Sequence, residues 1–225
     1  MINSRVQATG DYYRELRTPM LALVRGNPKR VLEIGCASGQ TLAYFREHGA
    51  DYTVGVEYSP EVAAQAAKRG VGQIIVGDIE RLDLDLQPES FDLLIAGHVL
   101  EHLADPWRVL ARLRGYLKLG GQFVGGLPNV RHHSVVLPLV LHGKWEYQPS
   151  GVMDWTHLRF FSRDTARAMV KNAGFEVDRV VPEFGRKSEI ANALTLNLFR
   201  NFLSYAYNIS ATNIASTGKK SGHES

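Results

Sequence analysis

The chain of 225 residues is poor in cysteine, has no long apolar run and carries no block of like charge. Each absence narrows the field. A single cysteine, Cys36, excludes an internal disulfide and fits a reducing compartment. The longest apolar run, Val135 to Leu141, is far short of the about 20 residues that span a bilayer, and Met1 to Val6 lacks the apolar core of a secretion signal. A cytoplasmic protein without a membrane span is expected. The 26 basic and 23 acidic side chains leave a net charge of +3, without the run of basic residues that marks a nucleic-acid arm, so nucleic acid is not an expected partner. At 44% hydrophobic residues the chain can bury one α/β core, and it is too short for two domains of ordinary size. A dinucleotide loop of the G-x-G-x-x-G kind is also missing, since Gly35-Cys36-Ala37-Ser38-Gly39-Gln40 lacks both later glycines.

What the chain does have is a series of apolar strands that end in polar groups. Val31 to Ile34 runs into the small-residue turn Gly35 to Gly39, where glycine permits a sharp bend and close approach of a ligand. Tyr52 to Val56 ends at Glu57, at the spacing expected of an acid that binds ribose hydroxyls. A third strand, 73–76, leads to Asp78, and a fourth, 91–96, leads to Gly97-His98-Val99-Leu100-Glu101-His102. Helices are expected over 8–25, 39–48, 60–69 and 106–116, and a fifth strand over 121–127. This alternation predicts a parallel sheet covered on both faces. Ser59-Pro60-Glu61 is a helix start, and Leu119-Gly120-Gly121 reads as a turn.

The ordered set from Val31 to about Val181 resembles the class I S-adenosylmethionine-dependent methyltransferases, with a small-molecule type similar to the O-methyltransferases of polysaccharide and natural-product synthesis. The resemblance implies a Rossmann-like, doubly wound α/β sheet, mostly parallel with an antiparallel C-terminal strand. It implies S-adenosyl-L-methionine as cofactor, with Gly35 to Gly39 against the methionine part, Glu57 on the ribose, Asp78 and Ile79 at the adenine, and Gly97 to Val99 over the sulfonium. Glu33, Cys36, Tyr58 and His98 complete the expected cofactor set. Many relatives have glycine where this chain has Ala37. Cys36 reads as a small loop residue rather than a nucleophile.

Residues 1–214 are expected to form a single methyltransferase domain, followed by a disordered tail over 215–225. Within it, 128–156 breaks the periodic pattern and is rich in His, Trp and Tyr, which marks a substrate lid. Its apolar run could also meet a partner subunit or a lipid-linked substrate. Trp145, Tyr147 and Trp155 offer flat surface to an acceptor, as Tyr12 and Tyr13 do to the cofactor. A helix over 162–173, a strand over 175–181, a helix near 190–203 and a last strand over 205–212 close the chain.

Methyl transfer to a hydroxyl requires a base, and histidine suits neutral pH. Some sugar O-methyltransferases place one at the position of His102. An Asp-x-x-His-x-x-Phe-Phe segment, here Asp154 to Phe161, brings His157 toward the acceptor by resemblance. Phe160 and Phe161 are expected in the core, and His132 and His133 in solvent. The expected function is O-methylation of a sugar or other polar metabolite, with His102 or His157 as base and no metal. One alternative is a metal-assisted enzyme acting on RNA or a quinone precursor, because some such relatives use a Glu-x-x-Glu-His sequence. His98 here replaces its first glutamate, and His132 or His157 would add a ligand to His98, Glu101 and His102. A non-catalytic interaction module is the third reading. Oligomeric state, a homodimer included, is left open.

Overall fold

The computed structural model describes residues 18–215. A seven-stranded sheet organises them, in the order β3-β2-β1-β4-β5-β7-β6. Strands β1 (Arg30–Ile34), β2 (Tyr52–Glu57), β3 (Gln73–Val76), β4 (Phe91–Gly97) and β5 (Leu117–Pro128) are parallel. β7 (Ala206–Asn213) lies antiparallel between β5 and β6 (Phe175–Glu183). The antiparallel C-terminal strand is therefore present as expected.

Parallel strands need helices on both faces, and side chains alternate accordingly. Val31, Leu93, Ile95 and Val124 pack with Leu42 and Phe45 of α2 (Gln40–Glu47), while Leu32, Ile34, Leu94 and Phe123 join Leu110 of α4 (Pro106–Arg114) and Met169 of α6 (Arg163–Asn172). β1 runs out to β2 on one side, and the chain later returns to lay β4 on the other. The crevice beyond the carboxyl ends of β1 and β4 is thus a topological switch point, where open α/β sheets bind ligands.

Local chemistry sets the helix starts. Ser59 accepts from Val62 N before α3 (Pro60–Lys68), and Asp105 accepts from Arg108 N before α4. Ser162 and Thr165 form a reciprocal capping box on α6.

Several expectations are corrected. The short α1 (Thr18–Leu21) ends well before Asn27-Pro28; the rest of the expected opening helix, with Tyr12 and Tyr13, and the tail beyond 215 lie outside the described residues. Leu119-Gly120-Gly121 is no break: β5 continues through it as an irregularity in which Phe91 pairs with Leu117 and Leu93 with Gln122. The segment expected to be a lid contains a helix, α5 (His133–His142), that its aperiodic apolar sequence and internal Pro138 concealed. The expected helix near 190–203 is two, α7 (Arg186–Leu194) and α8 (Arg200–Leu203), because Leu196 and Asn197 take positive φ. His132 is not a solvent-facing loop residue. It is half-buried and caps α5, its Nδ1 accepting from Ser134 N.

Burial, and His133 beside it, push the His132 imidazole down to about 4 from 6.5. A depressed histidine favours folding fully above pH 6.5, and that contribution is lost as pH falls toward 4, because the unfolded chain takes up the proton first. His132→Asn keeps a cap that does not titrate. It is expected to lose less stability than wild type across that window in parallel denaturant melts.

Candidate active site

The loop after β1 is held by backbone geometry. Gly35 N and Cys36 N both donate to Val56 O, and Gly39 N donates to Cys36 O. Gly35 has φ +67, and a Cβ there would lie 2.3 Å from Val99 Cγ2, so the loop closes against the segment after β4 only with glycine. Ala37 also has positive φ, 48°. Gly35→Ala is expected to cost about 2–4 kcal/mol in chemical unfolding. Ala37→Gly is expected to hold or raise the unfolding temperature while leaving cofactor affinity intact.

Glu57 is buried at the end of β2. Its Oε2 accepts from Ala37 N at 3.0 Å and its Oε1 from Ser59 N at 2.9 Å, which fixes the carboxylate over the loop. On neighbouring β3 the chain leads to Asp78, whose Oδ1 accepts from Glu80 N at 2.9 Å; Ile79 beside it is buried and its carbonyl accepts from Arg112. Helix α2 begins at Gly39 without a side-chain cap, so its first N–H groups can receive a carboxylate. This donor set fits S-adenosylmethionine: acids for the ribose diol and adenine amine, and helix N–H groups for the amino-acid end. Gly97 ends β4, beside the loop. Glu33 is buried in β1, and Tyr58 stands exposed at the rim. Burial, followed by the charges of Glu33 and Glu57, pushes the Cys36 thiol far up, which disfavours the thiolate. Glu57→Ala is expected to weaken S-adenosylmethionine binding at least about tenfold, read by calorimetry, because a charge-assisted ribose contact is lost.

The segment after β4 turns sharply. His98 has φ +54 and donates its N–H to Gly126 O, and a 3-10 turn follows over Leu100–His102. The His98 Nδ1 lies 3.2 Å from Glu101 Oε1. Glu101 is 1% exposed, and its Oε2 has no hydrogen-bond partner among the described residues. Burial acts to raise the Glu101 carboxyl, but the His98 hydrogen bond and the charges of His98 and His102 outweigh it, so the group is held below its ordinary range.

His157 arrives from far along the chain. Leu158 N and Arg159 N donate to Glu101 O at 2.8 and 3.0 Å, docking 154–159 on the 3-10 turn. The His102 and His157 rings then meet edge to face at 4.7 Å. His157 Nδ1 lies 3.0 Å from Val152 O, and His102 Nδ1 lies 3.2 Å from Thr156 O. A carbonyl only accepts, so each Nδ1 carries the proton and each neutral ring keeps its lone pair on Nε2. Thr156 Oγ1 is 3.0 Å from His102 Nδ1 and donates to Asp154 Oδ1 at 2.6 Å, which orients the His102 ring. Burial holds His157 below the ordinary histidine range despite the opposing charge of Glu101.

One potential ligand atom from each of Glu101, His102 and His157 lies within 4.8 Å of the others. The structure thus joins the two expected bases. It departs from the expected metal set of His98, Glu101 and His102, because His157 and not His98 joins Glu101 and His102, and His132 caps α5. Thr156, and Asp154 in the role it plays through Thr156, were missed. Their only signal was a polar pair spaced two apart before His157. Phe161 is in the core, whereas Phe160 is half-buried beneath Trp145 and Tyr147.

This sheet order, with a cofactor crevice at its switch point, defines a Rossmann-like methyltransferase fold. The chain belongs to the methyltransferase-domain family, whose model matches residues 7–180. It is an S-adenosylmethionine-dependent methyltransferase. It is similar to the ubiquinone biosynthesis O-methyltransferase of Cereibacter sphaeroides, 30% identical over 179 residues that cover 77% of this chain and 69% of the relative. Its fold matches an S-adenosylmethionine-dependent methyltransferase from Mesorhizobium loti with TM-score 0.63 and 18% identity, covering 87% and 96% of the two chains. An S-adenosylmethionine-dependent methyltransferase from Archaeoglobus fulgidus matches with TM-score 0.65 and 20% identity, covering 90% and 96%. Among the described residues no helix is long and apolar enough to cross a membrane.

Proposed function

We propose that the protein methylates a hydroxyl of a small molecule, with His102 as the general base and His157 beside it in support. The observation that carries this reading is the pairing of two imidazoles whose Nδ1 protons are committed to carbonyl oxygens, next to a buried carboxylate, at the end of β4. S-adenosylmethionine, when bound, supplies an electrophilic methyl group. The His102 Nε2 lone pair takes the proton that the acceptor hydroxyl releases. Thr156 and Asp154 hold the ring in the tautomer that can do so, and Glu101 stabilises the imidazolium that results. Trp145, Tyr147 and Trp155, each partly exposed, provide flat apolar surface for the acceptor. A sugar or another polar metabolite is the acceptor class this reading takes first.

A second reading is favoured by Glu101 Oε2, a buried oxygen without a partner, and by the relatives named for ubiquinone biosynthesis. Glu101, His102 and His157 would together hold a divalent cation, and the acceptor would be a phenolic quinone precursor. Two neutral imidazoles and one carboxylate suit zinc or manganese better than magnesium. A cation there would polarise the acceptor oxygen.

His102→Ala is expected to lower kcat by about 10²- to 10⁴-fold while S-adenosylmethionine affinity stays the same. Chelator treatment of the wild type separates the readings. Retained activity supports the histidine base, and loss restored by zinc or manganese supports the cation. Full activity in both His102→Ala and His157→Ala would overturn both.

A further inference from the structure

The residues between β5 and α6 and those between β6 and β7 emerge at the same edge of the sheet. Pro128 pairs with Ala206 and Glu183 pairs with Ala206, so the end of β5, the end of β6 and the start of β7 are level. This is the edge that carries the candidate site. The two inserts touch where the His133 ring lies 5.9 Å from that of Phe202, and where Asn129 Nδ2 donates to Asn201 O.

Both inserts turn apolar side chains outward. In α5 only Val135 is buried, while Leu137, Val140 and Leu141, spaced as one helical face, are 43%, 73% and 66% exposed. At the bend between α7 and α8, where Leu196 and Asn197 take positive φ, Leu194, Leu196 and Leu198 are 80%, 88% and 79% exposed. Helices of this composition are normally covered. The inserts, 129–162 and 184–205, also hold six arginines and lysines against three acids, a net +3 that accounts for the whole net charge of the chain.

We propose that this face docks on an anionic lipid bilayer, with α5 and the Leu194–Leu198 tip at the interface and the mouth of the candidate site turned toward the membrane. Outward leucines, exposed Trp145 and Trp155, and basic side chains such as Lys144, Arg186 and Lys187 are the composition that seats a helix in the headgroup layer of such a surface. A second copy of the chain fits less well, because a two-fold contact would set the same excess of positive charge against itself. Docking does not depend on the function proposed above. Its consequence for the acceptor does: the hydroxyl would belong to an amphiphile whose apolar part stays in the bilayer, which a lipid-linked sugar and a tailed phenol both satisfy.

The test is co-sedimentation of the full chain with vesicles of phosphatidylcholine mixed with phosphatidylglycerol, against vesicles of phosphatidylcholine alone. Binding is expected to the mixed vesicles, to fall with added salt, and to weaken by at least about tenfold in Val140→Glu/Leu141→Glu and in Leu196→Glu/Leu198→Glu. All four positions are exposed, and circular dichroism together with S-adenosylmethionine affinity checks that each variant is folded. No binding, equal binding to both vesicle types, or a dimer that the variants dissociate without any vesicle binding would each overturn the proposal. Because the readout is sedimentation, it stands or falls independently of methyl transfer.

Discussion

The candidate site depends on two backbone hydrogen bonds, those from Leu158 N and Arg159 N to the carbonyl of Glu101. They tie residues that are distant in sequence to the 3-10 turn after β4. Arg159 reinforces the junction by donating to Ala104 O. With this clamp in place, His157 sits beside His102, and Asp154 and Thr156 line up behind His102. Without it, His102 would have no second imidazole beside it. The clamp costs no charged group, because peptide N–H and C=O do the holding and leave the side chains for chemistry.

The two halves of the molecule follow different rules. The cofactor side is a backbone site: a loop closed on Val99 through Gly35, an uncapped helix start and two acids at adjacent strand ends. It needs little beyond the fold, and the fold is shared with solved structures at 18–20% identity. The proposed acceptor side is built on inserts that leave the same edge of the sheet. These inserts hold exposed aromatic and leucine side chains, such as Trp145, Trp155 and Leu196, that the shared fold does not dictate.

That division explains what was legible in the sequence. Strands buried on both faces announce themselves as apolar runs, and their ends at Gly35, Glu57, Asp78 and Gly97 fall where the sheet requires. Ser59 and Ser162 mark their helices by side chains that close onto the following turn. Helix α5 was hidden because Val135 to Leu141 is apolar without period, as befits a helix with only one side chain buried. The break between α7 and α8 rests on positive φ at Leu196 and Asn197, which leucine gives no reason to expect. His102 and His157 could each be nominated, but their contact could not be read. It is made by main-chain groups of Glu101, Leu158 and Arg159, and those look the same in every sequence.

The claim on which the account turns is that both imidazoles keep a bare Nε2. Two-dimensional nitrogen–proton correlation spectra of histidine-labelled protein report it directly, with His102→Gln and His157→Gln used for assignment. In the neutral form of each ring the proton is expected on Nδ1, and His157 is expected to stay neutral below the ordinary histidine range, since burial depresses its titration. Protons on Nε2 in both rings would contradict the account, because neither lone pair would then face an acceptor.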